Sequence, residues 1–127
     1  MGPERAARIS PTRSARRRGL RFNIHNDSPV VPPDILRLVW SAAARRTRSG
    51  ELLGPDQAVT VEEALRAVTL DAAFAHFEDR EKGSLAPGKL ADLVILSDDP
   101  TEVSLEDIQS IRVEATLKDG SLIYGDF

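Results

Sequence analysis

A chain of 127 residues, 41% hydrophobic and 29% charged with a net charge of −3, has the makeup of one ordinary domain with a core, not of two domains or of a nucleic-acid binder. It contains no cysteine, which excludes disulfides and thiolate metal sites, and no apolar run approaches the roughly 18 residues of a membrane-spanning helix. A soluble, cytoplasmic protein with no membrane or nucleic-acid partner is the expectation.

Charge is uneven from the first residues. Residues 1–21 carry Arg5, Arg8, Arg13, Arg16, Arg17, Arg18 and Arg21 against a single acid, Glu4, so this segment stands at +6 and the remainder at −9. An Arg-rich, acid-poor start has the composition of a transit peptide, and clustered arginines can grip phosphates. Two plainer readings explain it as well: a solvated helix face, or an element whose acidic neighbours lie elsewhere. No aromatic residue interleaves the arginines, which argues against single-stranded nucleic acid.

Strand propensity follows at Gly19–His25, and Pro29, Pro32 and Pro33 then stop the strand and allow a helix to begin near Asp34. Ile35, Leu36, Leu38, Val39 and Trp40, with Ala42–Ala44, give that helix a broad apolar stripe, and Ser49-Gly50 marks its end near Arg48. After a loop at Glu51–Val59, Thr60 and Glu63 form a T-x-x-E capping box. It opens a helix whose apolar positions include Val61, Ala64, Leu65, Val68 and Ala72, running or breaking briefly before Phe77.

Beyond Phe77 the run EDREKGSLAPGK is turn-rich, and Leu90–Leu96 reads as a largely buried strand because Leu93, Val94, Ile95 and Leu96 are consecutively apolar. Ser104 can cap a single helical turn through Asp107. Ile111–Tyr124 alternates around Asp119-Gly120, a strong hairpin signal, and should pair with Leu90–Leu96 in a small antiparallel or mixed sheet.

The residues with chemistry sit at the end of the first strand, in RFNIHNDSPVVPPD. A period of two puts Phe22, Ile24 and Asn26 on one side and Asn23, His25 and Asp27 on the other. In a β/α barrel, polar groups at the C-terminal end of a strand point into the active site, and an aspartate there can bind a metal or move a proton. Asp27-Ser28-Pro29 is also good turn chemistry in its own right. His25, with no second ligand nearby, and His76, between Ala75 and Phe77, suit hydrogen-bonded structure better than metal ligation.

HNDSPV, LGPDQAVTVEEALRAVTLDAA, GSLAPGKLADLVILSDDP and ATLKDGSLIYG together resemble the C-terminal part of a metal-dependent amidohydrolase, in the branch that includes the N-substituted formamide deformylases. The resemblance extends to the start, GPERAARISPTRSARRRGL, and so covers nearly the whole chain. It implies an α/β fold: residues 1–80 as the remnant of a TIM-like β/α barrel, with a helix over 4–18, the last strand at Gly19–Asp27 and the closing helices. Residues 81–127 would then be strands of a small flanking β-sandwich. The arginine-rich start becomes an ordinary helix, which overturns the transit-peptide reading.

The resemblance also implies a role for Asp27, as the catalytic and metal-contacting aspartate that takes a proton from a metal-bound water and returns it to the leaving amine. The family's other metal ligands, a His-x-His pair and further histidines, have no counterpart among this chain's two histidines. The expectation is therefore a C-terminal fragment, cut by truncation, a misplaced start or a broken gene, of a hydrolase of carbon–nitrogen bonds other than peptide bonds. It would be inactive alone and bind no metal tightly, although the full-length family uses a divalent metal, zinc being expected, on a small-molecule amide. A complementing subunit of a separately encoded N-terminal part, self-association through exposed edges, and a non-catalytic interaction module are the alternatives. As a fragment, the chain should leave the strand at Gly19–Asp27 without neighbours and much of the following helix's apolar stripe exposed.

Overall fold

The computed structural model describes residues 2–126, and the arginine-rich start is where it first departs from the sequence reading. Two short helices, α1 (Pro3–Ala7) and α2 (Thr12–Arg17), stand in place of one over 4–18. Ser10 lies at φ 48 and Pro11 lacks the N–H that a continuous helix would use, so the rod breaks between them. Gly19–Asp27 likewise forms no strand ladder among the described residues. The alternation read from sequence is present all the same: Phe22, Ile24 and Asn26 are half-buried, whereas Asn23, His25 and Asp27 are exposed. Alternation needs only a surface to pack on, whereas a ladder needs an adjacent strand.

Helix α3 (Ile35–Ala44) starts where Asp34 accepts a hydrogen bond from the Arg37 N–H at 3.1 Å. It ends earlier than the expected Arg48 because Arg45 turns left-handed, at φ 53, and sends its guanidinium back across the fold. Its apolar stripe is not left bare, contrary to expectation: Leu36, Val39, Ala42 and Ala43 are all buried. Helix α4 (Val61–Val68) opens on the expected capping box, with the Glu63 N–H donating to Thr60 Oγ1 at 3.1 Å and the Thr60 N–H donating to Glu63 Oε2 at 3.0 Å. A break at Thr69 separates it from α5 (Leu70–Ala75).

These helices bury two small clusters. Val39 and Ala42 of α3 meet Val59 and Ala64, with Phe22, Ile24 and Leu65 packed at the margin. On the other side of α3, Leu36 meets Ile108 and Ile111, with Trp40, Val103 and Leu96 around them, and Val61 touches both clusters. Each fully buried aliphatic side chain of this kind contributes about 1.5–3 kcal/mol. Gly83, at φ 86, lets the turn-rich loop lie directly on α5, where an added Cβ would come within 2.8 Å of Ala73 Cβ.

The tail forms a three-stranded antiparallel sheet in chain order: β1 (Leu93–Leu96), β2 (Val113–Lys118) and β3 (Ser121–Gly125). The hairpin turn falls at Asp119-Gly120 as expected. β1 is shorter than the Leu90–Leu96 expected, and it is not largely buried, since Val94 and Ile95 are exposed: one sheet on a small helical core has no second layer to cover it. The single helical turn expected through Asp107 lies further on, as a 3-10 turn at Asp107–Ser110 that puts Ile108 into the core, while the Ser104 hydroxyl bonds the Asp107 carboxylate at 2.7 Å. No described helix is long and apolar enough to cross a membrane.

Candidate functional site

The alternating segment delivers Asp27 to the surface in an unusual backbone state. Asp27 lies at φ 56, a left-handed conformation that aspartate tolerates better than most residues, and its carbonyl accepts a hydrogen bond from the Val30 N–H at 2.9 Å. The side chain of the preceding residue closes the same turn from beneath, with Asn26 Nδ2 donating to the Val31 carbonyl at 3.1 Å. Asn26 Oδ1 is buried with no partner among the described residues, an arrangement that costs about 1–3 kcal/mol. The Asp27 carboxylate faces outward, exposed.

His25 is exposed on the same side of the segment, and His76 is exposed at the C-terminal end of α5. The described residues contain no group of three His, Cys, Asp or Glu side chains placed to hold a metal. A tight zinc site takes about three protein ligands, so the residues present do not by themselves suit a divalent metal.

Two other polar centres were not legible in the sequence. The first is Asp71, 2% exposed, whose carboxylate meets Arg16 Nη1 at 3.4 Å and Arg66 Nε at 3.2 Å. Arg16 and Arg13 also pair with Glu63 at 3.4 Å, which ties α2 to α4 and α5. Part of the basic start thus finds its acids inside this chain. No local pattern marks it, because Asp71 lies beyond the break at Thr69 that ends α4 and its Arg16 partner is 55 residues away.

The second is Arg45, also buried, whose guanidinium donates to the carbonyls of Ile9 (2.7 Å), Ser10 (3.3 Å) and Leu53 (3.0 Å). Burial pulls its pKa below the usual arginine value, opposed by the nearby Asp56 carboxylate. Two clefts open over the N-terminal arginines. One of about 480 Å³ is lined by Arg16, Glu63, Arg66 and Gly83, and another of about 420 Å³ by Arg13, Arg17, Gln57 and Thr60. Neither includes Asp27. Arg13, Arg16, Glu63 and Arg66 are engaged in ion pairs and Thr60 in a helix cap, which makes them part of the scaffold.

A model described as "Amidohydrolase family" matches residues 1–124. The chain is 36% identical over 117 residues to the N-substituted formamide deformylase of Arthrobacter pascens, a match covering 92% of this chain and 22% of that protein. It is 26% identical over 102 residues to the putative amidohydrolase YtcJ of Bacillus subtilis (strain 168), covering 78% and 19%. In structure it resembles an amidohydrolase from Thermotoga maritima MSB8, with a TM-score of 0.64 at 24% identity over 87% of this chain and 24% of that one, a likeness of fold alone. The chain spans about a fifth of the length of these two curated relatives.

Proposed function

The chain belongs to the amidohydrolase family, and we propose that it supplies the closing part of such an enzyme. In this reading residues 1–80 are the last strand and closing helices of a TIM-like β/α barrel, and residues 81–127 are strands of a small flanking β-sandwich. The assembled enzyme, cytoplasmic in this reading, hydrolyses a carbon–nitrogen bond other than a peptide bond, in an amide or a formamide. The observation that carries the proposal is the display of Asp27: a carboxylate free of hydrogen-bond and ion-pair partners among the described residues, held outward at the end of a segment whose other side packs on the helical core.

Such a carboxylate suits a proton carrier. As water oxygen bonds to the amide carbon, Asp27 accepts the water's proton; as the carbon–nitrogen bond breaks, it gives that proton to the departing nitrogen, leaving an amine and a carboxylic acid. In this reading Asp27 would also contact the family's divalent metal, with zinc as the expected ion, whose remaining ligands would lie outside the chain.

The tail sheet supports an assembled state. Leu93, Leu117 and Leu122 stand in register across the three strands, and the adjacent pair Val94 and Thr116 lies on the opposite face, with Tyr124 brought opposite Thr116 by an irregularity in the β2–β3 register. Val94, Leu122 and Tyr124 are exposed. Apolar side chains on both faces mark a sheet made to be covered twice.

The experiment is reconstitution. The 127-residue chain should hydrolyse no N-substituted formamide above background. Fused to, or co-expressed with, the N-terminal portion of a family enzyme, it should restore turnover, and Asp27→Asn should then abolish turnover while leaving the fold intact, with His76→Gln as a nearly silent control. Metal-dependent hydrolysis by the 127-residue chain alone would overturn the reading, as would an unchanged rate for Asp27→Asn in the reconstituted enzyme.

A further inference from the structure

The residue before the catalytic candidate is an unexpected choice for its place. Asn26 follows Phe22 and Ile24 on the side of the segment that meets the α3/α4 core. An aliphatic side chain there would continue the apolar row and leave no buried Oδ1 without a donor. Asparagine instead contributes one specific bond, Nδ2 to the Val31 carbonyl, across the turn that begins at Asp27. With the Val30 N–H on the Asp27 carbonyl, this makes a double clasp around residues 26–31. Asp27 sits inside it, left-handed, with its carboxylate outward.

We propose that Asn26 is a positioning residue for Asp27. Anchored on the core side and bonded across the turn, it holds the Asp27 backbone in the left-handed state that aims the carboxylate, and it does so at the expense of an unsatisfied buried acceptor. A position kept for stability alone would avoid that acceptor, because a buried polar atom without a partner weakens the fold. The inference rests on the catalytic reading of Asp27, and the test separates the two.

The informative variant is Asn26→Leu, close to asparagine in size and free of the orphaned oxygen. In the 127-residue chain its melting temperature should equal or exceed that of the parent. The Val30 amide should exchange with solvent on the order of tenfold faster, since local opening is no longer opposed by the clasp. The Asp27 HN–Hα coupling should leave its left-handed value. Asn26→Asp, which keeps the size and loses the donor, should show the same two changes.

In the reconstituted enzyme Asn26→Leu should lower kcat on the order of tenfold with KM unchanged, because it acts only through the placement of the Asp27 carboxylate. If Val30 exchange and the Asp27 coupling are unchanged in both variants, the clasp is not what sets Asp27 and the proposal fails, even where Asp27→Asn abolishes turnover. A lower melting temperature for Asn26→Leu, with kcat intact, would make the role structural and overturn it equally. If Asp27→Asn leaves the rate unchanged, the catalytic reading falls and the proposal falls with it, whatever the clasp does.

Discussion

At the scale of single residues, two aspartates show what a sequence can and cannot disclose. Asp27 stands out by its place at the end of an alternating run, and the structure leaves it exposed as that alternation requires. Asp71 hides in an apolar helical context, and only its burial shows its role. Its two arginine partners come from positions 55 and 5 residues away, and the longer separation is a tertiary contact that no local pattern reveals. Removing the Asp71 carboxylate should leave Arg66 without a counter-charge, beside an Arg16 that keeps only Glu63. Both arginines are partly exposed, so water takes up some of the loss, and Asp71→Ala should cost about 2 kcal/mol instead of the roughly 3–5 kcal/mol of a fully buried pair. Urea denaturation would measure it, and a change below about 0.5 kcal/mol would show the network to be ornamental. Arg45 is hidden in the same way, because its three carbonyl partners become neighbours only after α3 has ended.

Elements are legible to the degree that their determinants are local. The capping box at Thr60 and Glu63 and the hairpin at Asp119-Gly120 are both where the sequence places them, because each is written in four or fewer residues. The strand at Gly19–Asp27 and the far end of α3 are not, since one needs a neighbouring strand and the other depends on the reach of Arg45. The hairpin also carries a pH-dependent fastening. Asp92 accepts from Lys118 Nζ at 2.6 Å and from the Asp119 N–H at 2.9 Å, and these bonds hold its carboxyl below the usual aspartate range while raising Lys118. A carboxyl depressed in the folded state adds stability that is full above its unfolded value, about 3.9, and is lost as pH falls through the lower folded value. Amide exchange at Asp119 and Gly120 should therefore accelerate, relative to its intrinsic rate, only on strong acidification, below the ordinary carboxylate range. Asp92→Asn should abolish that acid step and leave the neutral-pH hairpin looser; an acid step retained in Asp92→Asn would assign it to another carboxylate.

For the whole molecule, the distribution of apolar surface is the deciding fact. The helices bury most of their apolar stripes, so residues 1–80 are better packed than the proposed remnant of a cut barrel would suggest: α3 contributes buried side chains to both clusters, one of them shared with Ile108 and Ile111. The sheet does not close on anything to the same degree. Ile123, Tyr124 and Val94 are more than half exposed, and β1 and β3 are both free edges among the described residues. Bare edges with apolar faces invite pairing with other chains. The 127-residue chain should accordingly self-associate as its concentration rises, which sedimentation would detect as a growing weight-average mass. Lysine placed at both Ile123 and Val94 should suppress association without lowering the melting temperature, because neither side chain contributes to the buried clusters. If the exposed faces are instead meant for the remainder of an amidohydrolase, addition of its N-terminal portion should compete with self-association, return the mass to that of a one-to-one complex and slow amide exchange along β1 and β3. The same two lysines should then weaken that complex. Exchange along β3 that stays as fast in the complex as in the free chain would mean that the partner docks elsewhere, and the sandwich assignment for residues 81–127 would have to be given up.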